Sequence, residues 1–376
     1  MTPHPSMLAL GDTASVMPSL AQVMDGLYVA FPTNVTSVVL QRNEKCIAAS
    51  PLNYPLSVTC YRFIKEMSAR FSLFHAELGY APACQAAGVE YGVHLHGVTD
   101  IDLLFPKSHL GGLLKTRYRE ALRGASYVVC HPAVLEKALR LRPDAVAMPM
   151  PIDTGQFNER VPRHAFEGDF PIFSPSRMDQ WKGHDLIWEA LSLMRNRDRA
   201  VVYQSDWGWE PRYSYLKQHA PPNVRFIPLV PRQEMASYYA GACIVLGQMQ
   251  IGEFGMTELE AAACGAPVLA YLKDPETPFV PKRRDAKSLA EAIDALIDDP
   301  KGRREYARRC RSYVLERTDR REAAYLLSRV VASGDRPRPH QGRGIDGLFW
   351  GSGFEIVGRA IGERPFSRLK ASLIGL

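Results

Sequence analysis

The sequence predicts an α/β protein built from two doubly wound halves. Short apolar runs alternate with longer amphipathic ones along most of its length, the pattern of βαβ units around a mostly parallel sheet. At 376 residues, the chain also exceeds what one hydrophobic core usually holds. In the first half, strands are expected at Met7 to Leu10, Ser37 to Leu40, Phe71 to His75, Tyr91 to Leu95 and Tyr127 to Cys130, with helices such as Pro82 to Ala87 and Leu113 to Arg123 between them. In the second, strands read at Pro171 to Ser174, Ala200 to Gln204, Val224 to Pro228, Ile244 to Leu246 and Pro267 to Ala270. The intervening helices fall at about Gly183 to Arg195, Arg212 to Gln218, Arg232 to Ala240, Thr257 to Cys264 and Ala286 to Ile297. The proline-rich stretch Met148 to Phe157 marks the boundary, because proline fixes φ and interrupts helix and sheet alike. The domains accordingly run over residues 1–152 and 153–333, a long helix from about Gly302 to Val331 closing the second, with 334–376 as a C-terminal extension.

Charge placement narrows the function classes. The 46 Lys and Arg against 40 Asp and Glu give +6. Residues 301–376 hold 17 of the former and 8 of the latter, a local +9, which leaves 29 against 32, or −3, for residues 1–300. A chain-wide nucleic-acid groove is therefore disfavoured. The 7 cysteines are scattered, odd in number and without a C-x-x-C pair, which argues for a reducing compartment over a disulfide framework or zinc site. The first 26 residues carry no Lys or Arg, unlike a secretory signal. No run of about 18 apolar residues offers a membrane-spanning helix. The expected location is cytoplasmic, with peripheral contact to the inner membrane face as an option.

Two stretches carry the chemistry. In Phe173-Ser-Pro-Ser-Arg-Met-Asp-Gln-Trp-Lys-Gly-His184, a strand ends near Arg177 and a short loop brings in Lys182 before a helix opens. Two cations beside a helix N-terminus at the carboxyl edge of a parallel sheet suit a diphosphate, and an ordinary solvated loop is the competing reading. In Gly247 to Ala270, Gly252 and Gly255 let backbone approach a ligand. The helix opening near Thr257 aims its N–H groups at an anion, and Glu260 is placed one turn inside to accept from vicinal hydroxyls. Glu258 reads as a helix-capping or exposed charge.

Together these stretches resemble the nucleotide-sugar domain of the retaining GT-B glycosyltransferases of family 4, also called glycosyl transferases group 1. Arg177 and Lys182-Gly183 stand at that family's S-R-x4-K-G element, and Asn223 to Ala242 is similar to its strand, turn and Y-x-x-A helix. Phe254-Gly255 through Glu260 to Pro267-Val268 is similar to its E-x7-E block. The resemblance implies two Rossmann-like domains facing a cleft. It also implies that Arg177 and Lys182 neutralise a donor diphosphate, that Glu260 holds the ribose, and that the backbone over Phe254, Gly255, Met256 and Thr257 cradles phosphate and sugar. The first Glu of the block should stand at 252, where this chain has Gly252 with Glu253 beside it.

In the first half, Tyr91-Gly-Val-His-Leu-His-Gly-Val-Thr-Asp100 resembles the family's H-G-x-x-D region, which implies His96 near the transferred sugar; His75 and His94 read as structural. Asp100 and the loop residues Gly11, Asp12 and Thr13 are weaker acceptor- or phosphate-side candidates. No conspicuous carboxylate cluster calls for a divalent ion. The resemblance thus implies metal-independent hexose transfer with retention, using a UDP- or GDP-sugar as co-substrate and no cofactor, onto a glycan or lipid-linked acceptor. The alternatives are a catalytically silent GT-B scaffold subunit, or a DNA-modifying glucosyltransferase, which the charge balance disfavours. Leu348, Phe349, Trp350, Phe354 and Ile356 with Arg359, Arg364, Arg368 and Lys370 make 335–376 aromatic and basic. Such a segment can dock across the two domains or lie on an anionic membrane surface.

Overall fold

The computed structural model describes residues 7–10, 20, 27–30, 46–48, 61, 64–65, 67–69, 71–97, 111–208, 212–318 and 320–333. Described residues up to Pro151, together with 320–333, form one compact unit, and 152–318 form the other.

The first unit holds a parallel sheet of β1 (Met7–Leu10), β2 (Leu27–Ala30), β3 (Cys46–Ala48), β4 (Leu73–Glu77), β5 (Tyr91–Leu95), β6 (Tyr127–Cys130) and β7 (Val146–Ala147). Their order is β3-β2-β1-β4-β5-β6-β7. Ala9 pairs with His75, His75 with Gly92 and His94 with Val129. Strands covered on both faces need apolar residues at nearly every position. Leu8, Leu10, Phe74, Ala76, Val93, Leu95, Val128 and Cys130 accordingly share one core. Helices Ala81–Ala87 and Gly111–Gly124 pack together over it.

The second unit holds β8 (Phe170–Ser174), β9 (Ala200–Ser205), β10 (Val224–Ile227), β11 (Ile244–Leu246) and β12 (Val268–Leu269), all parallel, in the order β10-β9-β8-β11-β12. Ile172 sits in register with both Val202 and Ile244. Helix Ala286–Asp298 opens on Asp285, whose carboxylate accepts from the Ser288 N–H at 2.7 Å, a cap that satisfies one orphan donor of the first turn. Its Asp294 carboxylate accepts from the backbone of Arg195 and Asn196, each at 2.9 Å, fixing the chain just beyond helix His184–Leu193.

Several elements differ from the sequence expectation. β2, β3 and β7 are additional strands, short apolar runs that periodicity alone does not separate from helix. Ser37 to Leu40 lies outside the described residues. The single helix from Gly302 to Val331 is two helices, Pro300–Leu315 and Arg320–Ala332. At the break, the Thr318 hydroxyl donates to the Val314 carbonyl at 2.6 Å, and the Thr318 carbonyl accepts from the Ile152 N–H at 3.3 Å. The backbone thus leaves the helical path to bond across the unit. Arg320–Ala332 then packs in the first unit, against β6. No helix among the described residues is long and apolar enough to cross a membrane, and 334–376 lies outside them.

Candidate functional site

In the second unit, sequence order reverses between β8 and β11, which are neighbours in the sheet. Connections diverge at such a switch point and leave a crevice beyond the carboxyl ends of the strands, where open α/β sheets bind ligands. The loops leaving β8 and β11 are the two stretches that carry Arg177, Lys182 and the Gly247 to Glu260 block. They are joined directly: the Met249 N–H donates to the Lys182 carbonyl at 2.9 Å.

The loop after β8 is organised by Asp179. This buried carboxylate pairs with Arg177 Nε through one oxygen and accepts the Lys182 N–H at 2.8 Å through the other. The Arg177 guanidinium carbon lies 5.9 Å from the centre of the Trp207 ring. Lys182 differs from Arg177. Its half-buried ammonium forms no ion pair with a described carboxylate, and it ends 3.6 Å from the point a Cβ on Gly255 would occupy. The lysine charge is therefore presented at the mouth of helix Met256–Ala263, where Gly255 is the N-cap. His184 behind this loop is buried, with Nε2 3.2 Å from Gln204 Oε1. Burial pushes its pKa down to about 4, so it is a neutral support.

Two side chains shape the loop after β11. Glu258 is fully buried; one oxygen accepts the Gln248 N–H and the other the Gly255 N–H, both at 2.7 Å. It is a helix-capping charge, as its position suggested. The Gln248 side-chain oxygen accepts from the backbone of Gln250, Ile251 and Gly252 at 3.1, 2.8 and 3.2 Å. Its amide donates to the carbonyls of Glu253 and Tyr271 at 2.7 and 2.9 Å. With Gly255 N–H taken by Glu258, the next N–H groups, of Met256 and Thr257, have no carbonyl of their own helix to bond. Phe254 anchors the loop, its ring edge-on to Phe279 at 5.2 Å.

Gly252 adopts φ +79°, and a Cβ there would fall 2.6 Å from Lys273 Cγ. The Lys273 N–H also donates to the Gly252 carbonyl at 2.9 Å. A glutamate at 252 would be strained on both counts, since side chains are disfavoured at positive φ and the Lys273 side chain would have to move. Glu253 is half-buried beside it. Burial raises its pKa, the Lys273 charge opposes that rise and Asp274 adds to it.

Glu260 lies one turn inside the helix but is buried, and both of its oxygens accept from the Arg232 guanidinium, Nη1 to Oε2 at 2.6 Å and Nη2 to Oε1. Arg232 in turn lies over the Phe157 ring, 4.5 Å from its centre. Burial raises the Glu260 pKa and Arg232 pulls it back. Asp179, Gln248 and Arg232 are the residues the sequence reading missed. Asp179, three residues before Lys182, carried a turn-capping signal; nothing local linked Arg232 to Glu260, 28 positions later.

In the first unit, polar side chains gather along β4, β5 and the start of β6. His75 Nδ1 meets the Tyr127 hydroxyl at 2.9 Å and its Nε2 meets His94 Nδ1 at 3.2 Å. His94 stacks on His96 at 4.2 Å, and His96 Nε2 is 3.4 Å from Glu77 Oε1. Burial holds His75 at about 3 and His94 well below the usual histidine range, so both are neutral structural groups. Gly11, Asp12, Thr13 and Asp100 lie outside the described residues.

Comparison with known proteins follows this division. Residues 156–314 match the family described as Glycosyl transferases group 1. The group 1 segment contains both loops and all of the second-unit site residues. Curated relatives include the D-inositol 3-phosphate glycosyltransferases of Pseudarthrobacter chlorophenolicus, 26% identical over 46% of this chain and 45% of the relative, and of Frankia alni, 33% identical over 36% and 38%. The GDP-mannose-dependent monoacylated alpha-(1-6)-phosphatidylinositol monomannoside mannosyltransferase of Corynebacterium glutamicum is 25% identical over 41% of this chain and 47% of its own. The chain thus spans less than half the length of these relatives. Among solved structures, Anabaena HepE in complex with UDP and glucose superposes with TM-score 0.66 at 17% identity, over 88% of this chain and 100% of its own. The sucrose-phosphate synthase of Thermosynechococcus elongatus gives TM-score 0.63 at 18%, over 87% and 98%. These likenesses identify the fold as GT-B.

Proposed function

We propose that the chain is a retaining glycosyltransferase that moves a hexosyl unit from a UDP- or GDP-sugar to a hydroxyl of a glycan or lipid-linked acceptor, without a metal ion. The observation that carries this reading is the Lys182 ammonium, unpaired with any described carboxylate and set beside Gly255 at the N-terminus of helix Met256–Ala263. In the transfer, the bond from the sugar's anomeric carbon to the donor phosphate oxygen breaks, and the oxygen keeps the electron pair. The acceptor oxygen bonds that carbon and releases its proton. The departing diphosphate gains charge as the bond breaks, and fixed positive groups aimed at that position lower the barrier. Lys182, Arg177 and the first helical N–H groups supply them. The names of the curated relatives and the UDP in the related structures support a nucleoside diphosphate sugar and a phospho-inositol or lipid-linked acceptor.

The test is turnover of UDP-glucose and GDP-mannose in the presence of EDTA, with the product anomer read by NMR. Donor consumption with retained configuration is expected, and Lys182→Ala should lower kcat/KM by about 10²–10³-fold. Wild-type turnover in that variant rejects the assignment, an inverted product rejects retention, and activity that needs added Mg²⁺ rejects metal independence. Gly252, fixed by its backbone and by Lys273, favours a second reading, a nucleotide-sugar-binding subunit without turnover. UDP binding with no transfer would identify it.

A further inference from the structure

The loop after β11 meets a second lysine. Lys273 follows β12, on the far side of β11 from the loop that carries Lys182, and its N–H donates to the Gly252 carbonyl at 2.9 Å. Its stem crosses Gly252: Cγ, Cδ and Cε lie 2.6, 3.2 and 3.0 Å from the point a Cβ on residue 252 would occupy, and the ammonium is one bond beyond. Lys273 is exposed and forms no ion pair with a described carboxylate. The neighbouring acids are otherwise engaged. Asp274 accepts from the Tyr313 hydroxyl at 3.0 Å and from the Glu276 N–H at 2.9 Å, while the burial of Glu253 opposes its ionisation. Arg284 adds a further cation to the same loop, its Nη1 3.4 Å from the Gln250 carbonyl. Lys182 and the first helical N–H groups already meet a diphosphate at the mouth of helix Met256–Ala263. Nucleobase and ribose are uncharged at neutral pH, so any further anion on such a donor belongs to its glycosyl unit. A glutamate at 252 would accept from neutral hydroxyls and repel a second carboxylate, whereas the Lys273 ammonium donates and attracts one.

We propose that Lys273 is a specificity-determining residue: the donor sugar carries a carboxylate, as a hexuronic acid does, and that carboxylate pairs with the Lys273 ammonium over Gly252. The proposal rests on the donor-site reading above and refines its sugar. The bonds broken and made are those of the transfer already written, and the sugar carboxylate takes no part in them. Its signature is a ratio of affinities between charged and neutral sugars, which a general loss of stability does not change.

Calorimetric titration of the full chain with matched donors tests it: UDP-glucuronate against UDP-glucose, and GDP-mannuronate against GDP-mannose. With the nucleotide that binds, the wild type should prefer the uronate by about tenfold, the size of one hydrogen bond between charged groups. That preference should shrink as salt rises from about 0.01 M to about 1 M, because an exposed pair is screened. Lys273→Met keeps the stem and removes the charge, and should bring the ratio to within about twofold of unity. Lys273→Glu should favour the neutral sugar. Lys273 is exposed, so both variants should fold, since surface substitutions change stability little. A wild type without preference for the uronate overturns the proposal, and so does a preference that Lys273→Met leaves unchanged; in either case the donor site stands. No binding of UDP, GDP or any of the four donors to the wild type removes the donor-site reading and this inference with it.

Discussion

Each of the two units holds a doubly wound parallel sheet, yet they furnish their strands and the loops that follow with opposite chemistry. In the second unit, the loops after β8 and β11 are built from charges: Asp179 with Arg177, Glu260 with Arg232, Glu258 on two backbone amides, and Lys182 unpaired with any described carboxylate. In the first, Tyr127, His75 and His94 line β4 to β6, and His96 just beyond β5 meets Glu77 at the end of β4. Permanent charges cost much to bury unless paired, so the buried carboxylates Asp179, Glu258 and Glu260 take internal partners, while Lys182, half-buried, pairs with no described carboxylate. Buried histidines avoid that cost by staying neutral. The difference teaches that one topology can present a fixed field at one sheet and a protonation-dependent network at the other.

Acid should separate the units most strongly. In the first unit, burial lowers His75 to about 3 and His131 to about 4 and also lowers His94, with the nearby His96 adding to each; in the second, burial lowers His184 to about 4. A group whose folded pKa is depressed favours folding fully above its unfolded value, here 6.5, and loses that contribution as pH falls towards the folded value. Each such histidine contributes up to about 1.4 kcal/mol per pH unit. Between pH 6.5 and 5, hydrogen exchange corrected for its intrinsic rate should show β4 to β6 losing protection ahead of β8, β9 and β11. Equal loss in both sheets would break the comparison.

A smaller effect tests how far one carboxylate organises the second site. Glu258→Ala would strand the Gln248 and Gly255 N–H groups, and unsatisfied buried donors cost about 1–3 kcal/mol each. Urea unfolding should show a loss of about 2–4 kcal/mol together with weaker UDP binding. Full UDP affinity in that variant would show that the loop holds without its carboxylate. The smallest change is Tyr127→Phe, which removes the hydroxyl partner of His75 and should cost about 1 kcal/mol. UDP affinity measured by calorimetry should stay at the wild-type value, and a change would reveal coupling that the two chemistries do not suggest.

Much of the sheet framework was legible in advance. β1, β5, β6 and β11 fall on the expected residues because fully buried parallel strands must be continuously apolar. Helices Arg212–Gln218 and Ala286–Asp298 were legible from their periodicity and flanks. β2 and β3 were missed because a short apolar run does not by itself separate strand from helix. The break before Arg320 has no proline or glycine to announce it; Ile152, far away in sequence, takes the Thr318 carbonyl that would have continued the helix. The residues lining the second-unit loops were likewise legible, but their partners were not.

The sequence by itself determined the alternation of strand and helix, the two loops that carry Arg177, Lys182 and Glu260, and the absence of a glutamate at 252. Those depend on residue types and short-range spacing. Only the tertiary structure decided that Asp179 engages Arg177 and that no described carboxylate pairs with Lys182. It also decided that Glu260 is bonded to Arg232, and that Lys273 fills the space over Gly252. The reason is physical: whether a charge is available depends on what the fold brings within hydrogen-bond reach, and most of those partners sit on other segments of the chain.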